Sequence, residues 1–317
     1  RRTEIYREAN KIAEAISRHT NAKGKSEELG DILQVSKNAL LDLFDNSFGG
    51  FGSSPKFPNE SHLLLLLESW KRSKDEDVRN ALTLTLDQMY QGGIYDQVAG
   101  GFHRYAVDNE WQIPHFEKML YNQAQLGMVY LQAYQLTGND FFARVAQKTC
   151  NYVLREMQTE QGGYYSATDA DSEGEEGTFF TWSQSELEKC LSPAQAELAM
   201  SLFGVSPEGN FEGVNILYLS RPLSVSAREY GPDFYRDLDA VLMRLYQVRE
   251  QREHPLRDDK MIVSWCAQMA KTLVWASQTL PFAEAASWLT SAESAVQRML
   301  EVNLQASGEL KRICLHG

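Results

Sequence analysis

Apolar residues recur along most of the chain at three- and four-residue spacing, broken by short stretches rich in glycine and proline. This spacing predicts helices over 3–20, 36–46, 60–72, 75–91, 115–136, 139–158, 184–190, 193–203, 232–252, 259–279 and 282–303. Asp140, Ser183, Ser192 and Asp233 stand near helix starts, where a side-chain oxygen can take an unpaired backbone N–H. Beyond Tyr121 the segment 115–136 is apolar on nearly every side, through Leu126, Val129, Leu131 and Leu136. A helix of that kind is buried all round, as an inner helix of a two-layer helical ring is. Between 204 and 231 the helical signal lapses, and Asn215-Ile216-Leu217-Tyr218-Leu219 reads as a short strand in an elaborated loop.

The connections repeat. Helix 75–91 runs into Gly92-Gly93-Ile94-Tyr95, helix 139–158 is followed by Gly162-Gly163-Tyr164-Tyr165, and helix 282–303 by Ser307-Gly308-Glu309-Leu310. Glycine is a common helix stop by itself. Glycine followed by aromatics, twice at a spacing of 70 residues, fits a helical-hairpin repeat better. The pattern predicts an all-α fold: an α/α toroid of helical hairpins in two concentric layers, with short β-hairpin loops, incomplete at its C-terminal end. The loops at 92–114 and 162–182 should leave the same end of the ring. With no Pro/Ser-rich linker, 1–317 reads as a single domain, a fragment of a longer protein.

Composition narrows the partners. The 317 residues carry a net charge of −12. A nucleic-acid binder needs a basic surface and an anionic membrane repels an acidic one, so neither partner is expected. Cys150, Cys190, Cys266 and Cys314 are far apart in sequence, as reduced cysteines of a cytoplasmic protein would be.

Four polar, glycine-rich loops carry the candidate chemistry. The first, 49–58, holds Lys56, but no Gly-Lys-Ser/Thr follows to make a phosphate loop. The second, 92–121, gathers Tyr95, Asp96, His103, Arg104, Trp111, His115, Glu117, Lys118 and Tyr121. Pro114 suits the first position of the next helix, which would place His115 in its first turn. There the positive end of the helix dipole favours a neutral imidazole, the form that acts as a general base. Helical spacing would put His115, Lys118 and Asn122 on one face, and Glu117 and Tyr121 on another. The third loop offers Tyr165, Asp169 and Asp171; Glu175 and Glu176 read as solvated charge. A calcium-loop register beginning at Asp169 ends on Phe180 instead of a carboxylate, so no metal or other cofactor is expected. The fourth, 257–260, leads into Trp265, and Asp258 or Asp259 serves either as a cap or as a functional group. Aromatic rings beside carboxylates suit a sugar, whose C–H faces stack while its hydroxyls bond; core packing is the plainer use of the same rings.

The strings 49–58, 92–126, 162–182 and 258–269, above all Gly-Gly-Phe-His-Arg-Tyr and Trp111-Gln-Ile-Pro-His-Phe-Glu-Lys-Met-Leu-Tyr121, resemble the thioredoxin-domain-containing family that includes spermatogenesis-associated protein 20 and its bacterial relatives. The resemblance spans most of 45–317. It implies a six-hairpin toroid, similar to acylglucosamine 2-epimerases and six-hairpin glycosidases, which in the full-length family follows a thioredoxin-like domain. This chain has no CxxC, so redox chemistry is not carried over. Cys266 stands where relatives carry a polar amide after the tryptophan.

Two functions of different class compete. The first is a carbohydrate-active enzyme with a sugar-like ligand. As an epimerase-isomerase it would use His103 and His115 as proton carriers, with Arg104 or Lys118 stabilising an enolate; as a glycosidase it would use two of Asp96, Asp169 and Asp171. Lys56, Tyr95, Trp111, Tyr121, Tyr165 and Trp265 would line the substrate site. The second is a non-catalytic ligand- or partner-binding toroid.

Overall fold

The computed structural model describes residues 2–20 and 32–315. Helices α1 (Arg2–Thr20) and α2 (Ile32–Asp42) precede the first hairpin, α3 (Glu60–Ser73) and α4 (Glu76–Gln91). A long loop carries strands β1 (Tyr105–Ala106), β2 (Pro114–His115) and β3 (Lys118–Met119), and then the second hairpin follows, α5 (Leu120–Thr137) and α6 (Asp140–Tyr152). A single π-helical turn, Val153–Met157, extends α6. The next loop holds β4 (Ala167–Thr168), β5 (Asp171–Ser172) and β6 (Glu175–Glu176). An excursion of four helices comes next: α7 (Gln184–Cys190), α8 (Pro193–Leu202), α9 (Leu223–Tyr230) and α10 (Phe234–Arg249). Strands β7 (Arg257–Asp258) and β8 (Lys260–Ile262) lead to the third hairpin, α11 (Val263–Thr279) and α12 (Ala285–Asn303), which ends on β9 (Ile313–Leu315).

The packing order makes the toroid. Helices α3, α5 and α11 lie side by side as an inner layer, with α5 between the other two. Helices α4, α6 and α12 each back onto their own hairpin partner as the outer layer. The all-round apolar α5 therefore touches α3, α6 and α11, and its Leu126, Val129, Tyr130 and Leu131 are fully buried. On the far side of α11 and α12 the arc presents an open apolar strip that includes Trp275, Val296 and Leu300.

Each outer helix is followed by the same device. Antiparallel bridges Tyr95↔Phe102, Gln158↔Tyr164 and Leu304↔Leu310 turn the chain back after α4, the α6 extension and α12. The glycines of the first turn are there for close approach. A Cβ on Gly92 or Gly93 would lie 2.3 Å from the Trp111 carbonyl oxygen or 2.1 Å from that of Gln112.

Several sequence expectations need correction. Helix α5 begins at 120 and not at 115, because 114–119 is extended: β2 and β3 are both paired in sheets. Helix α2 covers 32–42, four residues before the predicted segment, and 259–262 is strand and turn before α11. The stretch expected to be free of helix holds α9, and the supposed strand at 215–219 is limited to the bridge Trp182↔Asn215. The α7–α10 excursion also departs from a strict two-layer order. Its α10 packs on α7, α8 and α9 and ties to α6 through Asp239, which binds Arg144 (2.6 Å) and Lys148 (3.0 Å). Ser183 and Ser192 build full capping boxes. The cap expected of Asp140 is made by Asn139, and Asp233 makes no side-chain cap.

Candidate functional site

The three long loops meet at the end of the arc where α3, α5 and α11 begin. Strands β3, β4 and β7, one from each loop, form a small antiparallel sheet, with Lys118 opposite Thr168 and Thr168 opposite Arg257. The loops at 92–119 and 158–182 thus leave the same end of the ring.

Because 114–119 is extended, its side chains alternate with period two. His115 and Glu117 stay half-exposed, whereas Phe116 and Lys118 are buried. The β1–β2 pair sets Tyr105 opposite His115, and their rings stack at 5.0 Å. From the next loop, Glu176 accepts hydrogen bonds from His115 Nδ1 at 2.7 Å and from the Phe116 backbone N–H at 3.3 Å. His115 Nε2 lies 3.6 Å from Glu117 Oε2, beyond hydrogen-bond reach. That oxygen is taken by Arg104 Nη1 at 2.8 Å. Glu117, with Tyr121 also near, raises the guanidinium's affinity for its proton above the usual value. Phe57 packs on Tyr105 (4.7 Å) and Tyr121 on Trp265 (5.0 Å). The result is an aromatic and charged strip across the starts of the three inner helices, from Phe57 before α3, through Tyr121 on α5, to Trp265 on α11.

The other face of the same segment looks inward. Lys118 Nζ bonds Asp96 (2.7 Å) and the Gly100 carbonyl (3.0 Å), and Arg249 on α10 grips both Asp96 oxygens at 2.9 Å. Asp96 also accepts the backbone N–H groups of Val98 and Ala99. Burial would raise the Asp96 carboxyl, but Arg249 and Lys118 outweigh it and hold the group well below the usual carboxylate range. Burial lowers Lys118 to about 8, against the pull of Asp96. His103 is buried between Phe116 and Phe180, with Nδ1 2.8 Å from the Phe116 carbonyl. Burial, helped by the Lys118 charge, lowers it to about 3, so it is neutral across the physiological range.

The remaining sequence candidates are dispersed. Lys56 is fully buried, bound to Asp45 (2.6 Å) and the Asn109 carbonyl (3.0 Å), with its ammonium over the Trp111 ring. Trp111 is itself sealed in the core and donates to the Phe48 carbonyl. Tyr95 packs between Tyr90 and Phe102. Tyr165 lies under the Arg257 guanidinium at 3.8 Å. Asp169 is exposed and accepts the next residue's N–H, and Asp171 is exposed on the β5–β6 hairpin. Of the residues singled out in the sequence, the structure brings together Arg104, His115, Tyr121 and Trp265 on the strip, and Asp96, His103 and Lys118 beneath it.

Two corrections follow. His115 is not in a helix's first turn, so the dipole argument for it lapses; β pairing with Tyr105 and the Glu176 bond position it instead. The helical grouping of His115 with Lys118 gives way to alternation. Sequence reading missed Glu176, taken for solvated charge, and Arg249, which has no local signal because Asp96 is 153 residues away. Glu176 has no local signal either, since His115 lies 61 residues away.

The packing order of the hairpins and the loop-borne strip at one end define this chain as an α/α toroid of helical hairpins. Mouse spermatogenesis-associated protein 20 is 34% identical to it over 311 residues, covering 88% of this chain and 39% of that protein; the human protein matches equally, and an uncharacterised Caenorhabditis elegans protein is 31% identical over 308 residues. Spermatogenesis-associated protein 20 is thus a homologue of this chain, which spans about two fifths of the length of the curated relatives it matches. No family model matches it. Solved structures similar to it include a sugar epimerase from a ruminal bacterium (TM-score 0.39, 13% identity, 91% of this chain and 89% of that one) and an inactive variant of an α-1,6-mannanase from Salegentibacter (TM-score 0.44, 10% identity, 90% and 74%). Among the described residues no helix is long and apolar enough to cross a membrane.

Proposed function

We propose that the strip across the inner helix starts binds a sugar-like small molecule, and that His115 is the base of an epimerase- or isomerase-type reaction on it. The observation that carries this reading is the asymmetry at His115. Glu176 holds Nδ1 at 2.7 Å as the donor nitrogen, which leaves Nε2 as the lone-pair nitrogen, with no hydrogen bond to Glu117 at 3.6 Å. A carboxylate that orients a histidine through one nitrogen and frees the other is the arrangement general bases use. Nε2 would take the proton from the carbon next to a sugar carbonyl. The electron pair left behind moves onto the carbonyl oxygen, whose negative charge Arg104 is placed to stabilise. Returning the proton to the other face, or to the neighbouring carbon, completes epimerisation or isomerisation. Tyr105, Tyr121 and Trp265 would stack the sugar ring.

Glycoside cleavage is less well supported. Of its candidate carboxylates, Asp96 is locked between two cations, and Asp169 and Asp171 lie on exposed turns. A partner for His115 in proton exchange is not assigned to His103, which is buried and bonded to backbone. The non-catalytic alternative has its own support: both His115 nitrogens face carboxylates, so the group can serve simply to join two loops. We also propose that a thioredoxin-like domain accompanies the toroid in the full-length family. Burial pushes the Cys150 and Cys266 thiols up to about 12 and 11, which suits packing and not redox exchange.

The test is a panel of reducing sugars in D2O, with deuterium uptake at the carbon beside the carbonyl followed by NMR. Catalysed exchange in the parent that falls about 10²–10⁴-fold in His115→Ala is expected. Exchange unaffected by the substitution removes the assignment; binding without exchange favours the non-catalytic alternative.

A further inference from the structure

Beneath the strip, on the inward face of β3, lies a second cavity of about 300 Å³. It is walled by Lys118, Tyr152 and Glu156, by Phe179 from the third loop, by Arg249 at the end of α10, and by His254 from the strap that follows. Tyr152 and Glu156 reach it from the end of α6 and its π-helical turn, an irregularity often found beside functional sites.

Charges of both signs line this cavity: Lys118, Arg249 and Arg257 face Glu156 and Glu250. The Asp96–Lys118–Arg249 cluster sets two cations against one carboxylate, with the three side chains 4%, 1% and 2% exposed. Asp96 has no capacity left: its oxygens take Lys118, both Arg249 terminal nitrogens and two backbone N–H groups. Two other carboxylates stand nearby. Glu156 is held by Arg155 Nε and the Tyr246 hydroxyl, both at 2.7 Å, and Glu250 lies 3.8 Å from His254. Arg257, paired with Asp259 at 3.5 Å, lines the same space. Arg249 Nε has no hydrogen-bond partner among the described residues although it is shielded from solvent. A buried cationic donor left without an acceptor is costly, and an oxyanion would answer it.

We propose that this cavity binds a small molecule bearing one oxyanion, a carboxylate or a phosphate, held by Arg249 and Lys118. Aromatic faces keep both cations in place: Lys118 Nζ lies 4.1 Å from the Tyr152 ring centre, and the Arg249 guanidinium lies 5.1 Å from that of Phe179 and 5.4 Å from that of Phe180. Glu156, Glu250 and His254 form a wall of opposite character, suited to hydroxyl or amino groups at the ligand's other end. The volume is at the small end of ligand pockets, which run from about 300 to 1,000 Å³, so the ligand is a compact metabolite and not a nucleotide or polymer. This inference does not depend on the role of His115.

Isothermal titration of the whole chain with acetate and, separately, inorganic phosphate tests it and distinguishes the two oxyanions. Saturable one-to-one binding of at least one is expected. It should weaken at least tenfold in Arg249→Lys, which keeps a cation beside Asp96 but loses Nε and the planar fork, and it should persist unchanged in His115→Ala. Circular dichroism checks that each variant folds. If Arg249→Lys does not fold, Leu256→Glu, at an exposed lining position, replaces it and should weaken binding by repulsion. No saturable binding of either anion to the parent, or undiminished affinity in the folded variant, overturns the proposal.

Discussion

The loop segment 104–118 takes part in two clusters built from the same residue types, one sealed and one open. In the sealed cluster Asp96, His103 and Lys118 meet Arg249, all at least nine-tenths buried. In the open one Arg104, His115 and Glu117 meet Glu176, with side chains 40%, 27%, 23% and 43% exposed. Both join distant parts of the chain, and both hold a histidine. They differ in what is left over for a visitor. His103 is held neutral by burial, with Nδ1 on backbone and Phe116 and Phe180 packed against the ring in edge contacts, which shuts it off from solvent. His115 Nε2 makes no hydrogen bond among the described residues, and its ring is half-exposed. Density of ionisable residues therefore marks where loops converge; exposure and spare hydrogen-bonding capacity mark where chemistry can occur.

The contrast can be broken most severely at Asp96. Asp96→Ala leaves Lys118 and Arg249 buried without their carboxylate, and removing one partner of a buried ion pair costs about 3–5 kcal/mol. Urea denaturation should show a loss of that size, while Glu176→Ala, on the open cluster, should lose less than about 1 kcal/mol. Equal losses at the two sites would erase the distinction drawn between them.

A smaller effect appears in the pH dependence of stability. His103 protonates at about 3 in the folded chain against an ordinary value of 6.5. The folded value is depressed, so this contribution is fully present above 6.5 and is lost as acidification protonates the unfolded chain first. Stability should decline between pH 6.5 and 4 with a slope of up to about 1.4 kcal/mol per pH unit from this residue. Asp96 adds its own loss only below its ordinary value of 3.8. His103→Gln should flatten the slope in that window. An unchanged slope would mean that His103 reaches water in the folded state.

A loss smaller than that at Asp96 is also expected at Trp265, where Trp265→Ala removes a half-buried ring from the strip. Stability should fall by about 1–2 kcal/mol, less than the roughly 3–5 kcal/mol of a core tryptophan such as Trp111. Sugar affinity on the proposed site should fall at the same time, as monitored by calorimetry. A stability loss as large as that of Trp111→Ala would reassign Trp265 to the core.

Much of the scaffold was legible because it is local. Three- and four-residue periodicity marked α3, α4, α6 and α12 to within a few residues, and the uninterrupted apolar surface of α5 announced an inner helix, which the structure places between α3 and α11. The turn of strand before α5 was not legible. Pro114 is as suitable for opening a helix as for a β pair, and only the pairing of Tyr105 with His115 decides between them. That one error shifted every side-chain direction from 115 to 119, placing Lys118 beside His115 when it lies on the opposite face. The site was legible as a neighbourhood, since the loop at 92–121 supplies Arg104, His115 and Tyr121, but not as an arrangement. Glu176 reaches His115 across 61 residues and Arg249 reaches Asp96 across 153, distances that a single sequence does not encode.

The central claim is that His115 is a working group on a sugar-binding strip, and NMR of the imidazole in ¹⁵N-histidine-labelled protein tests it most directly. Titrated with a panel of reducing sugars, the account predicts at least one sugar that moves the His115 ring signals saturably while those of buried His103 stay fixed, with the effect abolished in Trp265→Ala. If no sugar moves His115, or if sugars bind with shifts confined to other histidines, the strip is not the site and the claim fails.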